Sequence, residues 1–365
     1  MYFDYTATTP IDDNILNTYV KVQKEYFANT ESMHLLGQRS NDLFEKAKRE
    51  IKEVLKVDHE LIFTHNATEA NNLAIFGVVE SKKGKVITTK IEHPSVFEVF
   101  KELENRGYDV VYLDVDENGI IDLDELKAEM NKDVLLVSIM WVNNIIGSIQ
   151  PIKKIIDIIK EYPKAKLHID SVQGICKIEP DFSFSDVDLF TFSSHKFFGP
   201  KGVGGLLYKK GIVLDKHIFG SNVQNGIKPG TVDLASSVAT TKAFKVYYKT
   251  TKERFEYVVK IRDYFIKEIE NIKGIVINSN QFCSPYICNI SFIGRNSETI
   301  VHALEAKGVY VSTGSACSSK LKKAEKTIFA ISNSEDRALS SVRISFCHLT
   351  NMDEVNYLIK AIKEL

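Results

Sequence analysis

The spacing of apolar positions changes along this chain, and the changes divide it into elements. Leu43, Phe44, Ala47, Ile51, Val54 and Leu55 recur at three- and four-residue steps, which predicts a helix over 41–56; residues 12–27 read as a helix before it. From Leu61 onward, short apolar runs alternate with longer helical stretches. The runs 61–64, 85–89, 110–113, 134–140, 167–170, 188–192 and 203–208 read as strands, and 69–79, 94–105 and 153–160 as helices. Such alternation predicts an α/β fold: a mostly parallel sheet with helices on both faces. One or two long helices over 235–270 lead into a smaller α+β unit. It has strands near 274–278, 286–292, 309–312 and 341–346, and helices near 297–307 and 351–364. Residues 1–10 read as an extended lead-in.

In sheets of this kind the site forms outside the carboxyl ends of the strands. Thr68, His93, Asn144, Asp170 and Lys196 each come just after a predicted strand. Lys196 closes the run Ser193-Ser194-His195-Lys196, where an apolar strand opens into the glycine-rich turn 199–205. A lysine at such a boundary is partly stripped of water. Its amine can then lose its proton and act as the nucleophile of Schiff-base chemistry; a solvated loop lysine is the plain alternative. The turn itself lacks the GxxxxGK[ST] order of a P-loop.

Other residues acquire meaning beside Lys196. Asp170 suits a cationic ring nitrogen, which in a pyridoxal-phosphate enzyme keeps the ring an electron acceptor; it also suits a helix cap. Ala67 and Thr68 open a helix whose free N–H groups would cradle a phosphate, or Thr68 is an ordinary cap. Ser193 and His195 would add phosphate contacts, and Gln173 would reach a ring hydroxyl. His93 is placed to stack on a planar cofactor or to cap the helix that follows it. Arg343, inside a strand-like run, needs an anionic partner: a substrate carboxylate or an internal acid.

Composition narrows the class. Apolar residues make up 44% of 365 positions, ample for a core, and the net charge of -1 argues against a nucleic-acid surface. The start has no basic region followed by an apolar run, and no stretch approaches the ~20 apolar residues of a membrane span. The expectation is a cytoplasmic protein bound to neither nucleic acid nor membrane. The five cysteines follow neither a disulfide framework nor a zinc pattern, and no metal site is expected. Cys317 lies among small residues in Gly314-Ser315-Ala316-Cys317-Ser318, as an accessible, mobile thiol would. Cys347, at a strand end, reads as structural.

Taken in order, these stretches resemble the cysteine desulfurases of the NifS/IscS-like group, fold-type I pyridoxal-phosphate enzymes of the class V aminotransferase superfamily. The resemblance runs from Phe3-Asp4-Tyr5-Thr6-Ala7-Thr8-Thr9-Pro10 through Ala67-Thr68-Glu69-Ala70, Ile91-Glu92-His93 and Asn143-Asn144. It continues through His168-Ile169-Asp170-Ser171-Val172-Gln173, Ser193-Ser194-His195-Lys196, Pro229-Gly230-Thr231, Gly314-Ser315-Ala316-Cys317 and Arg343-Ile344-Ser345. It implies that pyridoxal 5'-phosphate is bound covalently by Lys196, with Asp170 at the ring nitrogen and His93 on the ring face. Asn144 and Gln173 would bond the ring hydroxyl side, and Ala67, Thr68, Ser193 and His195 would lie at the phosphate. Thr231 would reach the partner's cofactor in a homodimer. Asn144 and Arg343 would bind the substrate L-cysteine. Cys317 would take its sulfur for an acceptor protein, an iron–sulfur scaffold or a thiolation enzyme. The expected division is a large domain, 12–250, and a small one of 1–11 with 251–365 that carries the Cys317 loop.

The sequence departs from that family in places. Residues 219–228 lack the usual acidic residue and both arginines, with Lys228 in the later arginine's position. Ile145 replaces a glutamate, Cys347 a common glycine, and 320–340 has lost most family landmarks. These departures leave room for a lyase or aminotransferase acting on another amino acid, selenocysteine included, or for a divergent non-catalytic assembly partner.

Overall fold

The computed structural model describes residues 1–313 and 324–365; Cys317 lies outside them. After helices α1 (Asp13–Glu25) and α2 (Leu35–Leu55), the chain builds a sheet of seven strands. These are β1 (His59–Thr64), β2 (Lys85–Thr89), β3 (Asp109–Leu113), β4 (Val134–Met140), β5 (Lys166–Asp170), β6 (Leu189–Ser193) and β7 (Gly204–Lys209). Their spatial order is β1-β7-β6-β5-β4-β2-β3, with β7 antiparallel to both neighbours and the pairs from β6 to β3 parallel. The α/β expectation holds.

Alternation along the strands sends side chains to two cores. Ile62, Val86, Leu189 and Leu206 pack with α3 (Ala67–Val79) and α4 (Pro94–Asn105) on one face. Their sequence neighbours Leu61, Phe63, Ile87, Phe190 and Leu207 pack on the other, with α2, α6 (Ile152–Ile159) and α7 (Leu234–Lys249). Helices therefore cover both faces. A turn at Thr250 separates α7 from α8 (Thr251–Ile269). Beyond it β8 (Ile275–Ile277), β9 (Ile287–Phe292) and β10 (Ser341–Ser345) form an antiparallel sheet, flanked by α9 (Ser297–Glu305) and α12 (Met352–Lys363). The N-terminal segment joins this second unit through bridges from Tyr2 to Tyr310 and from Asp4 to Ser345.

Some elements differ from the sequence reading. α2 starts at Leu35, because His34 accepts from the Gly37 N–H and caps it there; its first residues, Leu35 and Leu36, are exposed and break the apolar period. Residues 309–312 make isolated bridges instead of a strand. Three short helices were not foreseen, α5 (Leu123–Glu129), α10 (Lys326–Ser332) and α11 (Glu335–Leu339), since so few turns leave little periodicity to read.

Candidate active site

The carboxyl ends of β4, β5 and β6 open into a cavity of about 280 Å³. Ala67, Thr68, His93, Asn144, Asp170, Gln173, Ser193, His195, Lys196 and Arg343 all line it. Thr231 does not; it is exposed on the surface. Among the contributors that the sequence did not single out are Ser95 and Asn66, and Thr6 and Ala7, which act on Lys196 through backbone carbonyls and so carry no side-chain signal.

Lys196 ends a short 3-10 turn directly after β6. Its Nζ donates to the carbonyls of Thr6 and Ala7, each at 2.8 Å. Burial pushes its amine down to about 8, helped by the Arg343 charge and opposed by Asp4 and Asp170. It is no solvated loop lysine. A substantial unprotonated fraction near neutral pH is what a nucleophilic amine needs.

Asp170 is 6% exposed. Its Oδ1 accepts from the Val172 N–H at 3.0 Å, holding the turn after β5, and its Oδ2 accepts from Asn71 Nδ2 at 3.0 Å. No helix begins at Asp170, so it is not a helix cap; it holds a turn and lines the cavity at once. His93 is a cap that also lines the cavity. Its Nδ1 accepts the Ser95 N–H and caps α4, whose first residue is Pro94, while the ring is open to the cavity. Burial, with Lys196, Lys326 and Arg343, holds the His93 imidazole below its ordinary range, against Asp170.

The far side of the cavity suits an anion. Asn66, not Thr68, caps α3, accepting from the Glu69 N–H at 2.8 Å, so Thr68 sits exposed in the first turn. Ser193 is 2% exposed, and its Oγ has no hydrogen-bond partner among the described residues. His195 packs against Thr8, with Nδ1 3.1 Å from Oγ1, and burial pushes it down to about 3, so its ring is neutral. β7 crosses beneath the start of α3 so closely that a Cβ on Gly204 would lie 2.7 Å from the Asn66 carbonyl carbon.

Gln173 donates to the Thr6 carbonyl at 3.1 Å and accepts from the buried Lys177 Nζ at 2.6 Å. Asn144 is presented by a loop that Asn143 holds, its Oδ1 accepting from the N–H groups of Ile145 and Ile146. Arg343 reaches over from β10. It donates to the Asn144 carbonyl at 2.9 Å and to Asp4 Oδ1 at 2.8 Å, so the internal ion pair and the cavity-facing arginine coexist.

The unusual segments have local partners. Lys228 pairs with Glu69 at 3.4 Å, tying residues 219–231 to the start of α3. Gln224 bonds both backbone groups of Phe63 on the edge strand β1, at 2.7 and 3.0 Å. Ile145 is buried with Ile146, Ile328, Ile331 and Ala338, an apolar nest that a glutamate would disrupt. The four described cysteines, Cys176, Cys283, Cys288 and Cys347, are buried, and burial pushes every one of their thiols up.

The residues fit pyridoxal phosphate: an amine of depressed basicity, a buried carboxylate, and, beside a helix N-terminus, a serine hydroxyl with no partner among the described residues. The chain belongs to the aminotransferase class-V family, whose model matches residues 1–358. Within it, the chain is 39% identical over 372 residues to a NifS/IcsS protein homolog of Lactobacillus delbrueckii, covering 100% of this chain and 97% of the relative. It is 36% identical over 371 residues to the cysteine desulfurase IscS of Neisseria gonorrhoeae, covering 100% of this chain and 91% of the relative. The structure of a NifS-like protein superposes with a TM-score of 0.93 at 33% identity, over 100% of this chain and 98% of that one.

Proposed function

We propose that the protein is a pyridoxal 5'-phosphate-dependent cysteine desulfurase that converts L-cysteine to alanine and keeps the sulfur as a persulfide on Cys317. One observation carries the reading: Lys196, Asp170, Ser193 and Arg343 converge on a single cavity, in a chain similar along its whole length to proteins named cysteine desulfurase. When bound, the cofactor supplies an electron sink for the substrate's α-carbon.

The chain's own residues do the rest. Lys196 holds the cofactor through its amine, then takes and returns the α-proton. Asp170 keeps the ring nitrogen charged, and His93 covers the ring face. Asn144 and Gln173 bond the ring hydroxyl side. Ser193, His195, Ala67 and Thr68 hold the phosphate, the last two at the positive end of α3. Arg343 orients the substrate carboxylate beside Asn144, exchanging part of its contact with Asp4. Cys317 attacks as thiolate: its sulfur bonds to the substrate sulfur, the carbon–sulfur bond breaks, and the remaining three-carbon fragment takes protons to become alanine.

The reading includes a homodimer, in which the exposed Thr231 reaches the partner's cofactor phosphate, and a protein acceptor for the sulfur, an iron–sulfur scaffold or a thiolation enzyme. It also divides the chain into a cofactor-binding domain, 12–250, and a small domain of 1–11 with 251–365. Among the described residues no helix is long and apolar enough to cross a membrane. The test is product analysis on the cofactor-loaded protein: alanine from L-cysteine is expected. Pyruvate and ammonia, or a 2-oxo acid dependent on an amino acceptor, would instead identify a lyase or an aminotransferase.

A further inference from the structure

In the cavity wall a run of side-chain hydrogen bonds joins Asp170 to His93. Its centre is Asn71 on α3, which is 0% exposed. A primary amide has two N–H donors and one acceptor oxygen. Asn71 Oδ1 accepts from Thr191 Oγ1 at 2.6 Å. Its Nδ2 donates to Asp170 Oδ2 at 3.0 Å and to Ser95 Oγ at 2.9 Å. A carboxylate oxygen only accepts, so this amide has one orientation.

The direction then passes along the run. Ser95 Oγ already accepts from Asn71, and its other contact is His93 Nδ1 at 2.8 Å. The Ser95 backbone N–H donates to that same Nδ1, at 3.1 Å. A hydroxyl oxygen can accept twice, but this N–H already makes Nδ1 an acceptor, so the single Ser95 hydroxyl proton points at Nδ1. Nδ1 is an acceptor twice over, and Nε2 hydrogen-bonds to no described residue.

We propose that Asn71 and Ser95 are positioning residues that fix the tautomer of His93, so that it faces the cavity as a neutral imidazole with its proton on Nε2. His93 then meets the substrate as a hydrogen-bond donor and not as a base. A basic Nε2 would need a proton on Nδ1, which both Ser95 donors oppose. Proton abstraction falls to Lys196. Burial first of all disfavours the imidazolium; of the charged groups that act on His93, Asp170 after β5 opposes this, while Lys196 after β6, Lys326 in α10 and Arg343 in β10 add to it. The catalytic meaning of this lock rests on the proposed function, whereas its geometry does not.

The experiment is nuclear magnetic resonance of the ring nitrogens in protein carrying ¹⁵N-labelled histidine, with and without pyridoxal phosphate. The signals of His93 among the nine histidines are identified by their loss in His93→Gln. Nδ1 is expected unprotonated and Nε2 protonated through neutral pH. Ser95→Ala removes one of the two donors to Nδ1 and should raise the midpoint of His93 protonation by roughly half to one pH unit, a three- to tenfold gain in proton affinity. Ser95→Thr should restore it, and Asn71→Ala should act in the same direction as Ser95→Ala. If Asn71→Ala does not fold, the Ser95 pair decides alone. A wild-type proton on Nδ1, or an unchanged midpoint in Ser95→Ala, overturns the proposal. Colour and alanine release are recorded on the same samples: a locked tautomer in a protein inert toward L-cysteine would leave the lock and remove the function, and a mobile tautomer in an active one would do the reverse.

Discussion

In the proposed reading the chemistry turns on Lys196, and its environment makes a measurable demand. With the amine held at about 8, the unprotonated form grows tenfold per pH unit below that value and saturates above it. The rate at which cofactor-free protein captures pyridoxal phosphate should follow the same curve, rising through neutral pH and levelling above about pH 8. A rate still rising steeply above pH 9 would mean an amine near its ordinary value. Lys196→Ala should bind without the yellow of the covalent link, and borohydride should fix no cofactor to it. At this scale the sequence was legible where a polar residue ends an apolar strand, as with Asp170, Ser193 and Lys196. It was silent about Asn71 and Ser95, which lie inside helices among apolar neighbours. The only available signal was the unlikeliness of a buried asparagine beside Leu73, Ala74 and Ile75 without partners.

Elements carry the site through their ends and edges. β1 is an edge strand, and Gln224 takes the place of a neighbour by bonding both backbone groups of Phe63. Removing it leaves two backbone groups without these partners. Gln224→Ala should therefore destabilise the fold by about 1–3 kcal/mol, read from the midpoint of urea unfolding; no change would mean that water replaces the amide without loss. The Lys228–Glu69 pair is only 14% and 20% exposed at its side chains, so it is more than a rim contact. Lys228→Ala should weaken cofactor retention measurably, and Lys228→Arg should keep it, since charge and reach are preserved. In the sequence this segment looked like a loss of family landmarks. Its compensations were invisible there, because Gln224 and Phe63 are far apart in the chain and backbone groups have no letter. The long strands and helices were legible through their periods, and the short α5, α10 and α11 were not.

At the scale of the whole molecule, the two sheets are tied together by the first ten residues. Phe3 O accepts from Ser345, Thr9 donates to the His195 carbonyl, and Thr6 and Ala7 line the cavity between them. The mostly parallel sheet and the site at its carboxyl ends followed from the order of strands and helices; this threading did not, since nothing local in residues 1–10 reports it. Phe27, Met33, Leu35 and Phe219 stand 60% or more exposed, apolar surface that the proposed homodimer would cover. Light scattering should give twice the chain mass of 41.3 kDa, and Thr231→Ala should speed cofactor loss without altering that mass. A monomer that holds its cofactor as well as Thr231→Ala does would remove the shared-site part of the account.

The most direct test concerns where the sulfur goes. Cofactor-loaded protein is given less than one equivalent of L-cysteine without reductant, the alanine is counted, and the digested chain is weighed peptide by peptide. The account predicts one alanine for each added sulfur atom found on the peptide bearing Cys317, and neither product from Cys317→Ser. Sulfur on Cys347, or alanine formed undiminished by Cys317→Ser, would contradict it.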